Sequence, residues 1–263
     1  MSETVTTAYS ELTRVLPWSL RGLGYSFPVA DRAAHVIASA AAITPGVLDD
    51  ISRMSSRTGS LACIDIHDEK TFSVDAKGQS FIEVGPAMLD FMGAHAPADG
   101  FLKGTIKDIT DLEILPAVLL IGGDYDLGCL AVASSGKGLY WCIQMASNGK
   151  RGIVQGADLP SLERVLAGGA KEMLDAARQC VESDVATATC VIFATHSIFV
   201  LPQVNDADVI DADAMLLDAH RRGIPIKPGT LKAIYDLEKR TWAPTSERSR
   251  AQAGFQKSSG AVT

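Results

Sequence analysis

Residues 188–201 carry the strongest β signal in the chain: Val191, Ile192, Phe193, Ile198, Phe199, Val200 and Leu201 surround Thr195-His196-Ser197. So dense a run of β-branched and aromatic side chains suits a pleated, packed surface. A sheet is required, and its other strands must come from elsewhere. Residues 127–133 and 139–145 flank Ser134-Ser135-Gly136-Lys137 and read as a hairpin. Ser147-Asn148-Gly149-Lys150 makes a second loop of that kind, and Ile153 and Val154 extend the sheet. Shorter strands are expected over 61–67, 72–74 and 81–84, with Asp75-Ala76-Lys77-Gly78 as a turn.

Helical periods occupy the rest. Ser10 reads as an N-cap, followed by Leu12, Val15, Leu16, Leu20 and Leu23 at helical spacing. Pro17 should kink or interrupt that run, and Gly22 and Gly24 should end it. A second helix opens at Pro28 and aligns Val29, Ala33, Val36, Ile37 and Ala40 on one stripe. A short third follows Pro45, and another starts at Pro86. Residues 117–121 fit a strand or a buried helix. Helices then cover 160–182, divided at Gly168-Gly169, and 211–222, stopped by Gly223 and Pro225. The last covers 229–240, with Thr230 as its cap candidate. Helices at both ends around a hairpin-containing sheet give the α+β class, with mixed α/β as the alternative. No linker rich in Pro, Gly or Ser divides the chain. Residues 1–257 therefore read as one interwoven domain, with two lobes sharing a sheet as a variant, and 258–263 as a disordered tail.

Charge and cysteine narrow the function classes. With 31 acidic and 24 basic side chains the net charge is −7, against broad nucleic-acid binding, which needs a basic surface. The five cysteines, Cys63, Cys129, Cys142, Cys180 and Cys190, are odd in number and form no C-x-x-C pair. They read as reduced, mostly buried thiols of a cytoplasmic protein. Residues 1–13 show no signal-peptide pattern, and no apolar run reaches the roughly 18 residues of a membrane span.

Several constellations could carry chemistry. Asp65, His67 and Glu69 alternate as a strand-borne metal site would, although Asp68-Glu69-Lys70 favours a turn and a solvated strand end. His196 is either a catalytic acid–base group at a strand end or a hydrogen-bonded core histidine. Asp31 and His35 stand at i, i+4. His95 and His220 fall near helix C-termini, a structural position for a cationic ring. Loops 134–138 and 147–152 lack the phosphate-loop pattern and read as hairpins. The segment 241–250 clusters Trp242, Ser246, Arg248, Ser249 and Arg250, and its two guanidinium forks match a carboxylate or phosphate.

Two resemblances follow from particular residues. The segments 10–34 and 237–254, with Arg240-Thr241, Pro244, Ser246, Glu247, Ser249, Arg250 and Gly254, resemble the opening and closing signatures of an uncharacterised bacterial domain family. Gly46-Val47, Val84-Gly85-Pro86-Ala87-Met88 and Gly223-Ile224-Pro225-Ile226 resemble the malate, L-lactate and sulfolactate dehydrogenase-like reductases. That second likeness implies a non-Rossmann fold and a nicotinamide cofactor, NAD or NADP. This chain departs from the family motif: Thr44-Pro45-Gly46 stands where the family has Ser-His-Gly, and residues 106–113 hold no histidine. The resulting expectation is NAD(P)H-dependent reduction of a 2-oxo or cyclic 2-imino acid. His196 would donate the proton, and Ser246, Arg248, Ser249 and Arg250 would hold a small acidic substrate. The alternative is a non-catalytic subunit of a heteromeric enzyme. A homo-oligomer or a heteromeric complex is the expected assembly.

Overall fold

A mixed sheet of eight strands forms the centre of the computed structural model, which describes residues 3–54, 62–136, 138–147, 150–166, 171–182, 188–196 and 209–242. The chain opens with β1 (Val5–Thr7), α1 (Tyr9–Gly22), α2 (Phe27–Ile43) and a 3-10 turn (Val47–Arg53). Then come β2 (Cys63–Ile66), β3 (Thr71–Asp75), α3 (Phe81–His95), β4 (Leu102–Lys107) and α4 (Leu115–Gly123). The meander β5 (Gly128–Ser135), β6 (Gly138–Ser147) and β7 (Lys150–Gly156) leads to α5 (Leu159–Leu166), α6 (Lys171–Glu182) and β8 (Thr189–Thr195). The final part holds β9 (Ile210–Asp211), α7 (Ala212–Arg222), β10 (Ile224–Ile226) and α8 (Pro228–Lys239). The α+β class holds.

The sheet order is β2-β3-β4-β8-β5-β6-β7-β9. Among the described residues, only β3 and β4 pair in parallel, joined through α3 as a β-α-β crossover. The strand signal at 188–201 proves central: β8 pairs with β4 on one side and β5 on the other. Residues 197–201 lie outside the described set. Alternation assigns the two faces. Cys129, Ala131, Ala133, Cys190, Ile192 and Ala194 face the larger core beneath α1–α4. Leu130, Val132, Trp141, Ile143, Val191 and Phe193 face the second core with Leu162, Leu166, Met173 and Leu174 of α5 and α6.

Local expectations change where packing overrides them. The N-cap of α1 is Ala8, not Ser10, and the helix continues through Pro17. Its face of Leu12, Val15, Leu16 and Leu20 is buried against α2 and α8, which outweighs the backbone bond that proline removes. Residues 81–84 are not a strand but the first turn of α3, because Ser80 caps it by accepting from Ile82 N at 3.2 Å. Pro86 therefore sits inside that helix. Residues 115–123 settle as a helix, apolar on all sides because it is buried all round. The cap position of α8 is Lys227, and Thr230 instead donates to Asp49 at 2.7 Å. Cys129, Cys142 and Cys190 are buried as expected, whereas Cys63 lies exposed on β2.

A small sheet unseen in the sequence joins residues 5–7 to residues 224–226, with β1 pairing antiparallel to β10. Gly223 precedes β10 at φ 81°, and a Cβ there would lie 2.7 Å from the Thr7 carbonyl oxygen. Only glycine fits so close a strand approach.

Candidate functional site

The parallel pair places two loops side by side at its carboxyl end. After β3, Asp75 Oδ1 accepts from Lys77 N at 3.0 Å, and Lys77 and Gly78 turn the chain through left-handed conformations. After β4, Asp108 and Asp111 do likewise. The loops then join: Thr110 N donates to the Gln79 carbonyl at 3.1 Å and Phe81 N to the Thr110 carbonyl at 2.9 Å. Left-handed non-glycine residues are uncommon, and such strained backbone gathers where a site is being shaped. In open sheets, ligands bind outside the carboxyl ends of parallel strands.

Two buried groups reach this point from different elements. Tyr25, in the turn between α1 and α2, is only 4% exposed. Its hydroxyl faces that of Ser80 but makes no hydrogen bond of ordinary geometry with any described residue. Glu83 stands in the first turn of α3, and its Oε2 is buried with no partner among the described residues. Burial pushes the Glu83 carboxyl above its ordinary range. Burial also pushes the Tyr25 phenol up, and the charges of Asp111 and Glu83 add to that shift. Perturbed titratable groups without structural partners mark functional sites more often than scaffold.

Glu83 lines a groove of about 470 Å³ whose walls include Phe72, Val74, Met88 and Phe91. The rings of Phe72 and Phe91 meet edge to face at 4.8 Å. Beneath them Gly104 leaves room: a Cβ there would lie 2.2 Å from Met88 Cε and 2.6 Å from Phe72 Cζ. The volume falls within the roughly 300–1,000 Å³ of small-molecule sites.

Two further clefts are more polar. One, of about 500 Å³, is lined by His35, Asp124, Arg151, Asp213 and His220. The other, of about 360 Å³, lies beside Gly46, Asp49 and residues 224–227. In both, the basic side chains are already paired. Arg151 is bonded to Asp213 at 2.8 Å with Asp124 at 3.7 Å, and Lys227 is held by Asp49 at 2.5 Å. Among the described residues no cluster of ligating side chains suits a metal ion.

The residues expected from sequence are not gathered at the groove. His196 is exposed just beyond β8, so the core reading does not hold. It lies near the amino end of β4, because Leu102 pairs with Ala194 and the Thr195 hydroxyl donates to the Gly100 carbonyl at 2.6 Å. The six residues of β4 separate that end from Asp111, roughly 20 Å at the strand rise. Ser246, Arg248, Ser249 and Arg250 lie outside the described residues. Asp65, His67 and Glu69 are all exposed, with His67 Nε2 at 3.0 Å from the Ser73 hydroxyl, as for a solvated strand end. His95 rests on Phe91 at 4.3 Å and His220 on Tyr9 at 4.1 Å, consistent with structural roles. His35 lines the larger polar cleft. Tyr25 and Glu83 escaped the sequence reading, although Ser80 and Glu83 have capping-box spacing.

No family model matches the chain, and no curated protein does. The resemblance to the uncharacterised bacterial family is therefore unsupported. The fold is shared with malate, lactate and sulfolactate dehydrogenase-like reductases. In particular, the chain superimposes on a dehydrogenase from Sinorhizobium meliloti at TM-score 0.67 and 11% identity, covering 90% of this chain and 100% of that one. A malate dehydrogenase from Pyrococcus horikoshii gives 0.64 and 11%, covering 93% and 98%. Delta1-piperideine-2-carboxylate reductase from Pseudomonas syringae pathovar tomato gives 0.56 and 13%, covering 89% and 100%.

Proposed function

We propose that the chain is a cytoplasmic reductase of a small 2-oxo or cyclic 2-imino acid, with NAD or NADP as the hydride carrier. The observation that carries this reading is coverage: the likeness spans nearly all of this chain and of the dehydrogenases and reductase it matches. The groove between β2, β3 and α3 supports it, because an acid with a buried oxygen in an apolar pocket suits acid–base work on a small molecule. The expected donor, His196, lies at the other end of β4, which favours Glu83 for that work. The predominantly antiparallel sheet supports a non-Rossmann assignment, since Rossmann sheets are mostly parallel. The carboxylate clamp at Arg248 and Arg250 stays part of the proposal. The test is NADH and NADPH consumption with a panel of 2-oxo and cyclic 2-imino acids. Saturable turnover that falls at least about 100-fold in Glu83→Gln is expected. Absence of turnover across the panel, with no thermal shift from either nucleotide, would refute it.

A second reading, a non-catalytic subunit in a larger assembly, is favoured by one observation. Strand β2 is exposed along its whole length, with Ile64 and Ile66 at 49% and 60% exposure on the sheet edge. Exposed apolar edge strands invite pairing. Sedimentation of Ile66→Lys against the unaltered chain tests it, and an unchanged molecular mass would remove that reading.

A further inference from the structure

We propose that Glu83 forms the recognition site for a protonated nitrogen carried by a small apolar ligand in the groove, with Tyr25 close to its carboxyl. This rests on reading the groove as the substrate site, and within that reading it favours an imino acid over an oxo acid. Four observations converge. Glu83 Oε2 is a buried acceptor without a donor among the described residues. No described cation acts on its carboxyl, whose displacement comes from burial alone. The Tyr25 hydroxyl, buried and turned toward Ser80, stands close enough for the Glu83 charge to act on it. The adjoining walls are Phe72, Met88 and Phe91, a surface for hydrocarbon.

The physical reasoning is one of compensation. A carboxylate in an apolar site ionises readily only when a counter-ion arrives with a hydrogen bond to give. A ring ammonium or iminium N–H supplies both, while the carbon skeleton fills the apolar walls. An anionic head group meets the reverse situation. Asp111, from the turn after β4, and Glu83 already place negative character around Tyr25. A ligand carboxylate must therefore point away from this end of the groove. Tyr25 and Asp111 are the titratable neighbours that bear on the site, from the α1–α2 turn and the β4–α4 connection.

The test uses the full chain and three rings of one size: piperidine hydrochloride, cyclohexanol and cyclohexanecarboxylate, each titrated by calorimetry near neutral pH. Piperidinium is expected to bind at least about tenfold tighter than either other ring. Glu83→Gln should remove most of that preference and Tyr25→Phe a smaller part, with far-UV circular dichroism and melting unchanged or improved. Glu83→Asp, which keeps the charge, should retain part of the preference. Equal affinity for the three rings, or an unchanged preference in folded Glu83→Gln, would overturn the inference. The two readings fail separately. Turnover of a 2-oxo acid with no preference for the amine would overturn this inference and leave the reductase reading standing. Glu83-dependent amine binding without turnover would uphold this inference and count against the reductase.

Discussion

Replacing Glu83 with methionine should make the protein more stable and empty the site of its acid. The carboxyl oxygen Oε2 is buried without a partner among the described residues, beside Val84, Met88 and Phe91. An unbranched thioether of similar length matches those walls and carries no charge to desolvate. An unsatisfied buried polar group costs about 1–3 kcal/mol, and Glu83 is only half-buried, so the gain should be about 1–2 kcal/mol. At about 2–4 °C per kcal/mol for a chain of this size, the melting temperature should rise by about 2–8 °C near pH 7.5. The sign with pH follows from linkage. Burial raises the folded carboxyl above its usual value near 4.5, so the folded state holds the proton more tightly. Stability is therefore complete below about 4.5 and is lost as pH rises through the folded value. The advantage of Glu83→Met should be largest at neutral pH and shrink toward pH of about 4.5. Scanning calorimetry of both proteins at the two pH values checks it. A variant that is less stable at neutral pH, or equally favoured at both, would refute the reasoning.

Gly104→Ala should destabilise by about 1–3 kcal/mol in urea titration, because its Cβ would lie 2.6 Å from the Cζ of the stiff Phe72 ring. A midpoint unchanged from the parent would contradict that packing. Glu11 accepts from Arg14 and from the Tyr235 hydroxyl of α8, and these bonds lower its carboxyl to about 2. Its contribution is present above the unfolded value of 4.5 and is lost as pH falls toward about 2, so Glu11→Gln should lower the melting temperature at neutral pH and matter less in acid. The effect is modest because Glu11 remains 33% exposed. In thiol titration of the folded protein, exposed Cys63 should react before buried Cys129, whose thiol burial pushes up to about 12. Equal rates would show that the larger core beneath α1–α4 opens freely.

Much of the fold was legible because its elements announce themselves through period and punctuation. The two hairpins over 128–156, the divided helix after Pro160 and the stop at Gly223 follow from alternation, helical spacing and glycine conformation. Errors arose where a local preference met a tertiary contact. Phe81-Ile82-Glu83-Val84 has strand composition, yet Ser80 and the β-α-β crossover make it a helix start. Pro17 should break a helix, yet Val15, Leu16, Ser19 and Leu20 around it are buried. The site was less legible. His196 drew notice through its apolar surroundings, but register places it at the amino end of β4, away from the parallel-strand loops. Glu83 looked ordinary because its burial depends on strands and helices that only the fold brings together.

Residues 44–46 and 106–113 hold no histidine. The fold is nevertheless present over nearly its whole length. Beside the end of the parallel pair the chain offers a half-buried carboxyl and a buried phenol. An oxo acid and an imino acid ask different work of such a carboxyl. A carbonyl oxygen must receive a proton as the hydride arrives, and a protonated carboxyl can give it. A protonated imine arrives with its proton in place and needs a counter-ion instead. A carboxyl whose ionisation burial disfavours meets that need when a cation enters, and Glu83 is placed for it. The same burial that makes Glu83 a defect in the empty fold thus makes it selective, which is why a stability gain and a binding loss should appear together in one substitution.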